Sequence, residues 1–353
     1  MKFSVCIPNY NYERFLGRTI QSILDSTDQD FEVLVSDNAS TDGSVDVVKR
    51  FNDPRIRLRV NACNVGFSGN LDRAATMAGG QWLIMLSSDD LMRPAALATY
   101  SRLFDQLGER GESSVVSSSW DVIDADDRTT SQTGPDATVW HASDRKPELE
   151  AAVGAPVYGV AGKELLRRCL RMMKNPFNFA ATVYPARLYR AVEGYGGGRL
   201  YNPDKWFHWR VLGQAEMAYF VDQRLFAYRW HASNQMAQEK TASALKFLVD
   251  EYVSTLEIDN QLLESVGMTR DELRGAFAEY DIGRHGLATL ARGDRIRARQ
   301  ILDFGRATYP DHCRRNRKTQ ALRALLALGP LGQAIAGRAY RSYRQQADTP
   351  NGQ

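Results

Sequence analysis

Apolar positions in the N-terminal part of the chain fall into short runs that alternate with helical periodicities. Residues 3–8 (FSVCIP) form the apolar, β-branched run expected of a strand buried on both faces. Tyr12, Phe15, Leu16, Thr19, Ile20, Ile23 and Leu24 then recur at intervals of three and four, predicting a helix. The pattern repeats. FEVLVSD predicts a second strand, residues 44–51 a second helix, and RIRLRV a third strand by alternation. A helix is expected from about Gly66, and QWLIMLSS predicts a fourth strand that runs into Asp89 and Asp90. Pro94 suits the start of a helix carrying Leu97, Tyr100, Leu103, Phe104 and Leu107. Strands joined by helical crossovers imply an α/β fold with a parallel sheet covered by helices.

Beyond this the pattern changes. Residues 124–150 are polar and predict a loop or hairpin excursion, GKELLRRCLRMMK a helix, and AYFVDQRLFAYRWHASNQ two short strands ending in a polar loop. From about Thr241 the chain reads as helical. Leu245, Leu248, Val249, Tyr252 and Leu256 form one stripe, and Leu273, Phe277 and Tyr280 another. ALRALLALGPLGQAIAG is interrupted by Gly329 and Pro330, which predicts two short helices. The longest uncharged stretch, residues 74–88, has 15 residues, short of the roughly 20 apolar ones a spanning helix needs. These shifts divide the chain into residues 1–238, with halves of 1–110 and 111–238, and a helical region over 239–353.

Polar residues collect where the predicted strands end. Pro8, Asn9, Tyr10 and Asn11 follow the first strand, Asp37 and Asn38 the second, Asn64 and Gly66 the third, Asp89 and Asp90 the fourth. Any one such group suits an ordinary loop. Four at the carboxyl edge of one parallel sheet mark the place where such sheets bind ligands. The glycine-rich cradles GxGxxG and GxxxxGK[ST] are absent, leaving side-chain recognition and a metal as routes to a nucleotide. Asp37 can accept a base N–H such as the imide of uracil, and Asp89 and Asp90 offer the hard oxygen ligands that Mg²⁺ or Mn²⁺ shares with phosphates.

The ordered segments PNYNYERFLGRTIQSIL, VSDNASTDGS, NVGFSGNLDRA and WLIMLSSDD resemble the nucleotide-binding half of glycosyltransferase family 2. The resemblance is close over residues 2–95, resumes more loosely over 180–231 and lapses beyond. It implies the GT-A fold, with a Rossmann-like, mostly parallel sheet flanked by helices. It also implies an inverting transferase using a nucleotide-diphospho-sugar, a UDP-sugar first. Pro8 and Tyr10, with Asn9 between them, would frame the base, Asp37 would contact it, and Asn64 and Asn70 would line the site. The family's D-x-D signature falls on Ser87, Ser88 and Asp89. Ser87 replaces the first acid and with it the usual ribose contact. Ser88 remains in the nucleotide-binding set, and Asp89 keeps the position of a ligand for divalent metal (Mn²⁺ or Mg²⁺), with Asp90 beside it.

EGYGGGRLYNPDKWFHWRVL resembles the family's later segment, in which an aspartate opens a helix carrying Trp and Arg. Asp204 falls at that aspartate, after Pro203 where the family often has Glu. The resemblance implies a catalytic base that deprotonates the acceptor hydroxyl; Asn202 or Asp204 equally suits a helix cap. Trp206 and Trp209, three apart, share a helix face, open to packing or to sugar stacking. Arg210 and Arg229 are candidates for the diphosphate or acceptor. His231 resembles the histidine after the family's Y-R-x-H segment, which approaches the metal; a structural role is the alternative. Gly196, Gly197 and Gly198 read as the hinge of a loop over the acceptor.

Of the chain's 353 residues, 45 are basic and 42 acidic, a net of +3 that hides an asymmetry. Residues 292–344 carry 13 Lys and Arg against 3 Asp, a net of +10, and the remainder is at −7. A basic helical segment interleaved with Leu, Ala and Tyr suits an anionic membrane surface; nucleic acid is the rival partner, and a solvated helix face needs none. Cys6, Cys63, Cys169 and Cys313 form no CxxC pair and read as reduced thiols of a cytoplasmic protein with no leader peptide. The expected function is transfer of a sugar to a hydroxyl of a glycan or polyprenyl-linked acceptor in bacterial cell-surface polysaccharide synthesis. The enzyme would be cytoplasmic, or peripheral at the inner face of the plasma membrane. Because Ser87 and Pro203 depart from the family pattern, a non-catalytic nucleotide-sugar binder acting as an assembly partner is the alternative. The early Gly-rich loop of a sugar-1-phosphate nucleotidyltransferase is absent.

Overall fold

The computed structural model describes residues 2–196, 200, 202–231 and 245–347. The chain divides into two compact units, Met1–Cys169 with Asn175–Gln238, and Leu170–Lys174 with Glu239–Gln353.

In the first unit β1 (Phe3–Asn9), β2 (Phe31–Asp37), β3 (Ile56–Val60) and β4 (Trp82–Met85) are parallel, in the order β3-β2-β1-β4. The crossovers are α1 (Glu13–Leu24), α2 (Ser44–Lys49) and α3 (Gly66–Ala75). Every residue of β1 and β2 is buried, which explains their unbroken apolar reading. Helix α1 buries Phe15, Leu16, Thr19, Ile20 and Ile23, the periodic stripe of the sequence.

The sheet continues through the second half with mixed direction. After α4 (Ala96–Leu107) come β6 (Ser114–Ile123), β7 (Thr129–Gln132), α5 (Pro147–Val153), β8 (Val157–Ala161) and α6 (Gly162–Met172). Then follow β9 (Thr182–Pro185), α7 (Ala186–Ala191), α8 (Asp204–Gln214) and β10 (Met217–Arg229). Strand β9 is antiparallel to both β4 and β6, and β10 runs parallel to β6. The polar excursion contains a hairpin, β7 against β6, and also α5, where Pro147 opens the helix and Leu149 and Val153 are its buried positions.

Two differences from the sequence expectation matter for the site. Residues 217–229 form one long strand, not two, with Asp222 and Gln223 at a register shift between Val221 and Arg224. Directly after the acid pair, β5 (Leu91–Met92) pairs antiparallel with β10, Phe226 opposite Met92 and Ala227 opposite Leu91. That short ladder brings Arg229 to Asp89 and Asp90.

The second unit is helical: α9 (Leu245–Glu257), α10 (Asn260–Ser265), α11 (Arg270–Phe277), α12 (His285–Ala291), α13 (Arg295–Thr308), α14 (Pro310–Arg315), α15 (Arg317–Ala327) and α16 (Pro330–Ala347). Leu273, Phe277, Ile282, Leu290, Ile301 and Leu322 form its centre, each fully buried. Gly329 adopts φ 60°, and Pro330 opens α16 in the position its fixed φ favours. That helix is 18 residues long, so only the first of the two expected short helices is short. Among the described residues no helix is long and apolar enough to cross a membrane. Cys63 is exposed, whereas Cys6, Cys169 and Cys313 are buried. Gly197, Gly198 and the polar loop after His231 lie outside the described residues.

Candidate active site

Buried amides stitch the carboxyl ends of β1, β2 and β3 together. Asn9 Nδ2 donates to Asp37 Oδ2 at 2.8 Å and to Ser40 Oγ at 3.2 Å. Asp37 also accepts from the Ser40 amide at 2.9 Å and its hydroxyl at 2.6 Å. Asn38 receives the Asn61 amide (3.2 Å) and the Val65 N–H (2.9 Å) on its oxygen and donates to Asn64 Oδ1 at 2.9 Å. Asn70 donates to the carbonyls of Ser36 (2.9 Å) and Asn9 (3.3 Å) and accepts from Ser36 Oγ (2.8 Å) and Asn61 Nδ2 (2.9 Å). Asn9, Asp37, Asn38 and Asn70 are all buried, so each internal bond replaces one that water would make. Asp37 and Asn70, expected to face a nucleotide, are thus bound into the network among the strand ends. Tyr10, 42% exposed, and the exposed Asn64 remain accessible at the rim. Ser40, Asn38 and Asn61 went unassigned in the sequence, where only their place in the same turns marks them.

The acid loop is anchored just as firmly. Ser88 Oγ donates to the Pro8 carbonyl at 2.8 Å, and Thr19 Oγ1 to the carbonyls of Ser88 and Asp90, each at 2.9 Å. Asp89 Oδ2 lies 3.0 Å from His231 Nε2, and both residues are buried. Asp90 Oδ1 accepts the Arg229 N–H at 2.8 Å, while its Oδ2 is buried with no hydrogen-bond partner. Burial, and then the Asp89 charge, push the Asp90 carboxyl well above the usual carboxylate range, with Arg229 and the Ser87 hydroxyl working against them. Arg229, fully buried, donates from Nε to the Asp89 carbonyl (2.6 Å) and from a terminal nitrogen to the Asp124 carbonyl (3.0 Å), and it pairs with Asp127. The guanidinium sits 4.9 Å from the Phe15 ring centre, and the His231 ring 4.6 Å from it. Arg229, expected at the diphosphate or acceptor, is therefore built into the wall behind the acids.

Among the described residues no group of three or more His, Cys, Asp or Glu side chains could by itself hold a metal ion. The Asp89 and Asp90 oxygens and the His231 ring nitrogen are each a donor of the kind a divalent cation takes alongside phosphates and water, Asp90 Oδ2 being without a hydrogen-bond partner.

Asp204 is the first residue of α8, whose N-cap position is Pro203 and carries no side-chain cap bond. Asn175 Nδ2 donates to Asp204 Oδ2 at 3.4 Å and its oxygen faces His208 Nδ1 at 2.9 Å. With its amide nitrogen spent on a carboxylate, Asn175 presents its oxygen to an imidazole N–H, leaving His208 Nε2 a buried acceptor without a partner. Burial holds the His208 pKa down at about 3. Trp206 and Trp209 are buried, and Arg210 stacks 3.5 Å from the Trp206 ring centre while donating to the carbonyls of Val192 and Gly194. These contacts brace the segment before α8. Helix α3 ties this side to the strand ends: Asn70 stitches β1 to β2, Ser68 Oγ donates to the Leu200 carbonyl (3.2 Å), and Asp72 accepts the Tyr195 N–H (2.8 Å).

A parallel α/β half joined to a mixed half, with an acid pair at its carboxyl edge, is the GT-A architecture. Residues 4–168 match the model of glycosyl transferase family 2, and the chain carries a domain of that family. An uncharacterized glycosyltransferase of Nostoc is 34% identical over 134 residues, which is 37% of this chain and 40% of that protein. An Escherichia coli protein named UDP-Glc:alpha-D-GlcNAc-diphosphoundecaprenol beta-1,3-glucosyltransferase is 35% identical over 25% of this chain and 35% of its own length. The matched part thus spans about two fifths or less of these relatives. The crystal structure of S. aureus TarS 1-349 with UDP-GlcNAc shares the fold at a TM-score of 0.63 and 18% identity, covering 98% of this chain and 92% of that one.

Proposed function

We propose that the chain transfers a sugar from a nucleotide-diphospho-sugar to an acceptor hydroxyl with inversion at the anomeric carbon. One observation carries this reading: Asp89 and His231 meet at the carboxyl edge of the sheet, beside the amide-stitched bed of Asn9, Asp37 and Asn70. The bed takes the nucleotide, with Tyr10 and Asn64 at its rim. Asp89 and His231, with Asp90 adjoining, would hold a Mn²⁺ or Mg²⁺ ion, whose positive charge offsets that of the leaving diphosphate. Asp204 takes the proton from the acceptor hydroxyl. The freed oxygen attacks the anomeric carbon on the face away from the diphosphate, and the C–O bond to phosphate breaks with its electrons going to the leaving group. Asn175 keeps the Asp204 carboxylate oriented. A relative named for UDP-Glc and the UDP-GlcNAc complex of the TarS structure favour a UDP-sugar donor. The first, named for a diphosphoundecaprenol-linked acceptor, also favours a diphosphate-polyprenyl acceptor here.

The test is release of nucleoside diphosphate from a panel of nucleotide-sugars, with Mn²⁺, with Mg²⁺ and with chelator, in wild type and Asp89→Ala. Turnover that needs the cation and Asp89 supports the reading. Nucleotide-sugar binding with no turnover on any acceptor would establish the non-catalytic binder instead.

A further inference from the structure

Helix α16 is built with its faces reversed relative to an ordinary packed helix. Its inward positions are the small residues Gly332, Ala336 and Gly337, and a Cβ at Gly332 would collide with the backbone of Leu325. Its outward positions, spaced as one helical stripe, are Leu331, Ala334, Ile335, Arg338, Ala339 and Ser342. Leu331 is 63% exposed and Ile335 45%. The stripe is extended at its start by Leu328, 51% exposed. Ile296, at 77% the most exposed large apolar side chain among the described residues, stands at the start of α13. The Arg295 guanidinium stands 3.3 Å from the position of a Cβ on Gly329, the residue before α16. Arg295, Ile296, Arg299 and Leu326 also line one open cavity of about 390 Å³.

Exposed cations share these helices. Arg295, Arg299, Arg323, Arg338 and Arg341 are exposed and make no ion pair among the described residues. Exposed leucine and isoleucine alone would fit any apolar partner. Unneutralised arginines on the same helices select a surface that is apolar beneath and anionic above, which describes an acidic lipid leaflet. A nucleic acid would use the arginines and leave Leu331, Ile335 and Ile296 in water.

We infer that α16, with Leu328 and the start of α13, is a docking face for an anionic lipid bilayer, inserting Leu331, Ile335 and Ile296 between the headgroups. This deepens the lipid-linked acceptor reading, but no step of the transfer chemistry enters its test. Sedimentation of the full chain with vesicles of phosphatidylcholine, with and without phosphatidylglycerol, needs neither donor nor acceptor. Expected is binding that depends on the anionic lipid and weakens in about 0.5 M salt, where the screening length is about 4 Å. Each arginine near the leaflet contributes about fivefold. Leu331→Glu/Ile335→Glu should lose at least about tenfold in binding, and Arg338→Glu should lose a smaller factor. Leu256→Glu, at another exposed position, should bind as wild type. All three replace exposed side chains, and an unchanged melting temperature checks their folding. Equal binding by the double variant, or binding indifferent to phosphatidylglycerol, would overturn the inference. So would a concentration-dependent dimer that the double variant abolishes, since the face would then belong to a second copy. Failure of any of these leaves the donor-turnover test untouched.

Discussion

His231 Nε2 lies 3.0 Å from Asp89 Oδ2 although 142 positions separate them in the chain. Asp89 follows the fourth parallel strand of the sheet and His231 follows its longest strand, so the pairing joins the two halves of the first unit at one point. Asp89→Asn keeps the shape and removes the charge. Transfer should fall by about 10²-fold or more, the scale of losing one charge-stabilising group, with the cation requirement moved to higher Mn²⁺ concentration. Nucleoside diphosphate release across a Mn²⁺ titration measures both. His231→Gln should show the same displacement at a smaller cost.

Replacing Asp204 by Asn should leave donor affinity intact while product formation drops by about 10²-fold or more, as expected when a general base is removed. Calorimetric titration of the donor and single-turnover product formation separate the two. Wild-type turnover in this variant would remove Asp204 as the base.

Asn70→Ala leaves the Asn61 amide, the Ser36 hydroxyl and two carbonyls of β1 and β2 short of a partner in a buried place. The expected loss of stability is about 2–4 kcal/mol, from one or two groups left unsatisfied at about 1–3 kcal/mol each. Urea unfolding with nucleotide absent should show it as a lower midpoint at constant slope.

His208 gives a pH signature. Its folded pKa is near 3 and its unfolded pKa about 6.5, so between those values only the unfolded chain holds the proton. Stability therefore falls as pH drops from about 6.5 towards 3, by up to about 1.4 kcal/mol per pH unit from this residue. Carboxylates add their own slopes, so the measurement is a difference. Thermal melts of His208→Gln between pH 7 and pH 4, an experimental range on the order of this window, should decline less steeply than those of wild type.

The first four strands and their helices could be read from sequence because each carries a strong period: continuous burial in β1 and β2, and a three-four stripe in α1. The strand ends were legible too, since polar residues after buried strands stand out. Which of those residues face outward was not. Asn70 and Asn64 have identical side chains, yet one lies buried beneath the strand ends and the other at an exposed rim, a distinction set by cross-strand hydrogen bonds among β1, β2 and β3. Arg229 and Arg210 misled for a similar reason. An arginine near acids suggests a phosphate ligand, but both guanidiniums donate to backbone carbonyls, and Arg229 also pairs with Asp127. The two short strands expected over this segment are one strand with a register shift between Val221 and Arg224, which an alternation rule cannot tell from a turn.

The course of β10 sets a limit on truncation. The family match ends at residue 168, yet the groups that meet the Asp89 and Asp90 carboxylates, the Arg229 N–H and the His231 ring, arrive only with residues 229–231. A fragment cut after the matched segment would bury two adjacent carboxylates with neither Arg229 nor His231 beside them. Such a piece would have to protonate an acid or open the acid loop to water. The smallest autonomous binding unit of this chain is therefore set by the end of β10, well beyond the last residue of the family match.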